Sequence, residues 1–153
     1  MKKTVVLLLL SFMVFASYSK EKPGKDHPIV GRWEYVKTIL PDGSEVIDLI
    51  ATEHYYSDGT FLYVNVWLNP QPKKEFSNTT EEIKSNFKVG YGGIATYQVE
   101  KGEEKDKLTY TVATSSDKER IGKSTAVDIT LDKDTLIFYF NGKQVILKRV
   151  AEK

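Results

Sequence analysis

Several residues in this chain belong to types that do chemistry, but their spacing fits none of the familiar uses. The two histidines, His27 and His54, fall in different segments. Neither has a second metal ligand at helical or hairpin spacing, and neither is assigned to a metal or a haem. Gly122-Lys123-Ser124 resembles the end of a phosphate-binding loop, yet Asp117 stands where the first glycine is needed and no helix follows. Asp58-Gly59 and Asp132-Lys133-Asp134 lack the glutamate that closes a calcium loop and read as turns. Gly90, Gly92 and Gly93 sit inside a strand pattern without the strand-to-helix setting of a dinucleotide site. Asn78-Thr79-Thr80 matches a glycosylation sequon, although a helix cap already accounts for Thr79. No acid and base are paired for catalysis, so no catalytic residue and no cofactor are assigned. What remains is binding chemistry, carried by 9 Tyr, 7 Phe and 2 Trp.

Composition narrows the classes further. The 153 residues contain no cysteine, which excludes a disulfide framework, a thiolate metal site, a cysteine nucleophile and a cysteine-anchored lipoprotein. A formal charge of +1 lacks the basic surplus that nucleic-acid binding needs. Met1-Lys2-Lys3, the apolar run of residues 4–15, and the small residues Ala16, Ser17 and Ser19 have the order of a secretory signal peptide, with cleavage expected after Ser19. The run is too short to span a bilayer, which takes about twenty apolar residues. Residues 20–26 then read as a flexible leader and residues 27–150 as one domain.

Within that domain the apolar pattern has a period near two. Strands are predicted at 31–39, 52–56, 60–68, 88–100, 107–114, 124–131, 135–140 and 143–150, each stopped by turn residues. Asn69-Pro70-Gln71-Pro72 is expected to end the third strand. The one predicted helix follows it, with Thr79 and Glu82 as a capping box and Ile83 and Phe87 on one face. Asn141-Gly142 is the strongest hairpin signal. Eight sequential antiparallel strands with one short helix point to an all-β up-and-down barrel, which leaves no exposed edge, with a two-sheet sandwich as the alternative. Connections 40–51, 69–87, 115–123 and 141–142 would share one elaborated end, and the opposite end would be tight.

Alternation assigns the inward face. Trp33 and Tyr35 point in, as do Tyr91, Gly93, Ala95, Tyr97 and Val99, and Leu108, Tyr110 and Val112. Val127, Ile129 and Leu131, Leu136, Phe138 and Phe140, and Val145 and Leu147 follow. In the third strand the set Phe61, Tyr63, Asn65 and Trp67 is placed inward. Gly93 and Ala95 either leave room for a ligand or, for Gly93, mark a bulge. The candidate ligand contacts are Tyr35, Trp67, Tyr91 and Phe138 near the elaborated end, with Tyr63, Tyr97 and Tyr110 deeper.

Gly31-Arg32-Trp33 at the start of the first strand and Arg149 at the end of the last resemble the lipocalin pattern, closest to the small bacterial lipocalin-like domains. The resemblance implies that Trp33 plugs the closed end and that Arg149 packs across it, the two forming a base with Gly31. It departs from the larger lipocalins in having no flanking helix after the last strand and no disulfides. It implies an exported, monomeric protein holding a small apolar or amphipathic ligand, without turnover or cofactor. The alternative is a filled barrel that binds a protein partner through the long loops at its wide end.

Overall fold

The computed structural model describes residues 23–71 and 87–151. They form a closed antiparallel barrel of β1 (Gly31–Ile39), β2 (Glu45–Tyr55), β3 (Thr60–Gln71), β4 (Phe87–Glu100), β5 (Asp106–Ser115), β6 (Ser124–Asp132), β7 (Thr135–Phe140) and β8 (Lys143–Arg149), each paired with its sequence neighbours and β8 with β1. The predicted signal peptide, residues 1–19, and the helix expected around Thr79, Glu82 and Ile83 lie outside the described residues. Phe87 opens β4 as a strand residue opposite Leu68. No described helix is long and apolar enough to cross a membrane.

Two strands are longer than the sequence pattern predicts. β2 begins at Glu45, not near Thr52, so the first connection is a tight turn and not a long loop. The pattern is hidden because β1 and β2 carry register shifts between Glu34 and Thr38 and between Ile47 and Leu49. Across these bulges Asp48 and Leu49 are both buried, which breaks simple alternation. β3 runs through Pro70 to Gln71, with Gln71 opposite Ile47. Pro70 is tolerated there because the ladder is already irregular and a missing N–H breaks no regular pair.

Asp48 explains how the bulged wall is held. Its carboxylate accepts hydrogen bonds from the Thr38 hydroxyl at 2.7 Å and the Tyr35 hydroxyl at 3.0 Å. Burial pushes the Tyr35 phenol up to about 12, so it stays a donor. Elsewhere the turns follow local rules. Asn141 (φ 50°) and Gly142 (φ 76°) both take positive φ, as the tightest β7–β8 hairpin requires.

The inward set is as alternation assigns it over most of the barrel. Trp33, Tyr55, Phe61, Tyr63, Ala95, Tyr97, Leu108, Val127, Ile129, Leu136 and Leu147 form one core, with Tyr91, Val99, Tyr110, Leu131, Phe138 and Val145 packed against it. Outward Leu62 and Val64 are exposed, which settles the face of β3. Gly93 marks a close approach and not added space: a Cβ there would lie 2.0 Å from the Thr114 carbonyl oxygen.

The tight end is sealed by the paired ends of β1 and β8, where Trp33 stands opposite Arg149. Trp33 is fully buried, and its indole N–H donates to the Ile29 carbonyl at 2.8 Å. The Arg149 guanidinium lies 4.3 Å over the indole and donates to the carbonyls of Val30 (2.8 Å), Lys133 (3.2 Å) and Pro28. It therefore ties the segment before β1 to the β6–β7 turn across the face of the plug. Gly31 is required in this base twice over. Its φ is +131°, and a Cβ would lie 2.6 Å from Arg149 Nη1. Gly31→Ala should lower stability by about 1–3 kcal/mol in a urea titration, and an unchanged midpoint would show that this close approach is not needed.

Candidate functional site

Above the base the barrel is hollow. A cavity of about 310 Å³ reaches from Tyr55 and Phe61 to the end that carries the β5–β6 connection and Phe140. Its walls are mainly aromatic and aliphatic. Tyr55 stacks on Phe61 (4.8 Å between ring centres), Phe61 tilts against Tyr63 (5.6 Å), and Tyr63 meets Tyr91 edge-on (6.3 Å). The rings thus climb the β2–β3–β4 wall as a ladder, each holding the next in place. Near its top the Trp67 indole N–H donates to the Tyr91 hydroxyl at 3.1 Å.

Of the seven residues expected to contact a ligand, Tyr63, Trp67, Tyr91, Tyr110 and Phe138 line this cavity. Tyr97 does not. It packs edge-on beneath Tyr55 and Phe61, and its hydroxyl donates to the Tyr56 carbonyl at 2.8 Å. Tyr35 is not among the lining residues either: it pairs with inward Leu147, but its hydroxyl is engaged by Asp48 and the Val46 carbonyl. Phe140 is 52% exposed and forms part of the rim.

Asn65 lines the cavity from the inward face assigned to it, while three other polar lining residues, Glu53, Arg120 and Thr125, were not singled out from the sequence. Glu53 follows Leu49 and Ala51 and precedes Tyr55 on one parity of β2, and that period was its available signal. Its carboxylate accepts from the Tyr55 hydroxyl at 2.6 Å. Burial raises the Glu53 carboxyl from 4.5 to about 7, outweighing the opposite effect of that hydrogen bond. Burial also raises the Tyr55 phenol, and the neighbouring Glu53 adds to the shift.

Arg120 ends a single 3-10 turn, Lys118–Arg120, in the β5–β6 connection. Asp117 caps the turn by accepting from the Glu119 N–H at 3.1 Å, and Gly122, at φ 79°, turns the chain back. The Gly122 N–H donates to Val112 O (2.8 Å), and the Val112 N–H donates to Lys123 O (3.1 Å). So anchored, the Arg120 guanidinium lies 3.8 Å over the Tyr91 ring. Nothing in the period-two pattern marks Arg120, since it sits on a connection.

His54 stacks on Tyr56 at 4.4 Å, and His27 accepts through Nδ1 from the Ile29 N–H at 3.2 Å. Among the described residues no group of three or more His, Asp or Glu is placed to hold a metal.

A closed eight-stranded antiparallel meander, sealed at one end by a tryptophan under an arginine and hollow at the other, is a lipocalin-like barrel. Among solved structures, the chain is similar to a lipocalin-like protein from Bacteroides uniformis (12% identity, 80% of this chain and 99% of that one, TM-score 0.47). It is also similar to an uncharacterised protein from Bacteroides eggerthii (16% identity, 79% of this chain and 98% of that one, TM-score 0.44). No protein-family model and no curated protein matches the sequence.

Proposed function

We propose that this is an exported binding protein that holds one small, largely apolar or amphipathic molecule in the upper half of its barrel, without chemical turnover. The observation that carries the reading is the cavity of about 310 Å³, walled by Phe61, Tyr63, Trp67, Tyr91, Tyr110 and Phe138 and reaching, among the described residues, to Phe140 at the end opposite the sealed base. Its size lies at the small end of ordinary ligand pockets, roughly 300–1,000 Å³, which suits a short-chain or one- to two-ring molecule over a long lipid. Export is supported by the charged, apolar and small-residue order of residues 1–19. A filled barrel acting only through its loops is disfavoured by this space.

The two tryptophans make the test direct, because Trp67 lines the cavity and Trp33 is buried in the base. Titration with short fatty acids, retinoids and aromatic acids should change tryptophan fluorescence saturably. Trp67→Phe should abolish the change. Ala51→Phe, which puts a ring into the cavity, should weaken binding at least ~10-fold, or about 1.4 kcal/mol. No saturable response from any of these compounds, in a folded protein, would overturn the reading.

A further inference from the structure

Three polar atoms lining the cavity are buried without a hydrogen-bond partner: the Tyr63 hydroxyl, Asn65 Oδ1 and Arg120 Nη1. Buried polar groups in folded proteins are almost always satisfied, and three orphans facing one space indicate a missing partner in that space. Tyr63 is only 4% exposed, so bulk water does not serve it. Arg120 lies over Tyr91 at 3.8 Å and is 5.7 Å from the centre of the Tyr63 ring. Stacking of this kind holds a guanidinium by its face and leaves the N–H groups along its edge to donate elsewhere.

We propose that the occupant is a small organic monocarboxylate, its carboxylate bound by Arg120 and the Tyr63 hydroxyl near the mouth and its apolar body among Phe61, Val127 and Phe138. The proposal deepens the binding reading above and rests on it. A planar, two-oxygen anion fits because a single guanidinium fork binds it through parallel N–H donors. Among the described residues no lysine lines the cavity to suit a phosphate, and the remaining walls are mostly apolar. The Asn65 amide supplies either an acceptor for a hydroxyl beside the carboxylate or, turned over, N–H donors to the same anion. Glu53 is the one acid among the described lining residues, and it is engaged by the Tyr55 hydroxyl.

The test is affinity for matched acid and amide pairs at pH 8: octanoate with octanamide, cinnamate with cinnamamide, and naphthoate with naphthamide. At least one acid should bind ~10-fold or more tightly than its amide. Arg120→Gln should remove that preference by weakening the acid and leaving the amide within about twofold, and Arg120→Lys should restore part of it. Tyr63→Phe should weaken the acid several-fold. Thermal unfolding of each variant confirms that the barrel is intact. Equal binding of acid and amide, or a preference that survives Arg120→Gln, would overturn the anionic anchor while leaving the cavity reading in place. Absence of binding by every acid and every amide would overturn both.

Discussion

Trp33→Ala should destabilise the protein by about 4 kcal/mol, within the range of roughly 3–5 kcal/mol seen when a buried aromatic is cut to alanine. The indole is the widest side chain of the closed end, and nothing adjacent is free to replace it. Arg149 is pinned above it by three backbone carbonyls, and Ile29 and β8 are fixed by their own pairings. A void would therefore persist in place of a collapse, and the Ile29 carbonyl would lose its donor. In a domain of this size the loss corresponds to a fall in Tm of roughly 10–20 °C. Trp33→Phe retains much of the volume and should cost less than half as much. A Trp33→Ala variant within about 1 kcal/mol of wild type in denaturant titration would contradict the base as the main closure of the barrel.

The second large effect is a pH dependence set by Glu53. Its carboxyl is raised from 4.5 to about 7 in the folded state, so the folded protein holds this proton more tightly than the unfolded chain. A raised carboxylate pKa means full stability below about 4.5 and a progressive loss as pH climbs through about 7. A shift of this size amounts to about 3 kcal/mol at most, and to about 2 once water within the cavity is allowed for. Glu53→Gln keeps a carbonyl acceptor for the Tyr55 hydroxyl and cannot ionise. It should be close to wild type in stability at pH 4.5 and more stable by about 2 kcal/mol at pH 8.5. A difference that stays flat over this range would show that Glu53 is not enclosed as the barrel places it.

How far the sequence carries the fold is clearest by comparing strands. β7 and β8 are legible because Asn141-Gly142 specifies the hairpin and the alternation around it is uninterrupted. β2 is half hidden because two bulges put Asp48 and Leu49 into the interior together, and a buried aspartate makes a strand look like a loop. Tyr35 pairs with Leu147 on the inner face as alternation expects, and it misses the cavity because its hydroxyl is held by Asp48, whose burial at the bulge the pattern does not show. The base is readable from Trp33 and Arg149, since closure of an eight-strand meander brings the first and last strands together wherever they lie in sequence. The apolar walls of the site follow from the same alternation. Its polar features do not, because Arg120 belongs to a connection whose path is set by Asp117 and Gly122, and Glu53 is a charge on an apolar face. Their contribution depends on positions in space that a period of two does not encode.

Native mass spectrometry of the protein purified from its own host shows whether the barrel carries a ligand in its cavity. The expected result is a species heavier than the polypeptide by one small molecule, released on denaturation and diminished in Ala51→Phe. The polypeptide mass alone, for wild type and Ala51→Phe alike under conditions that keep the barrel folded, would contradict it.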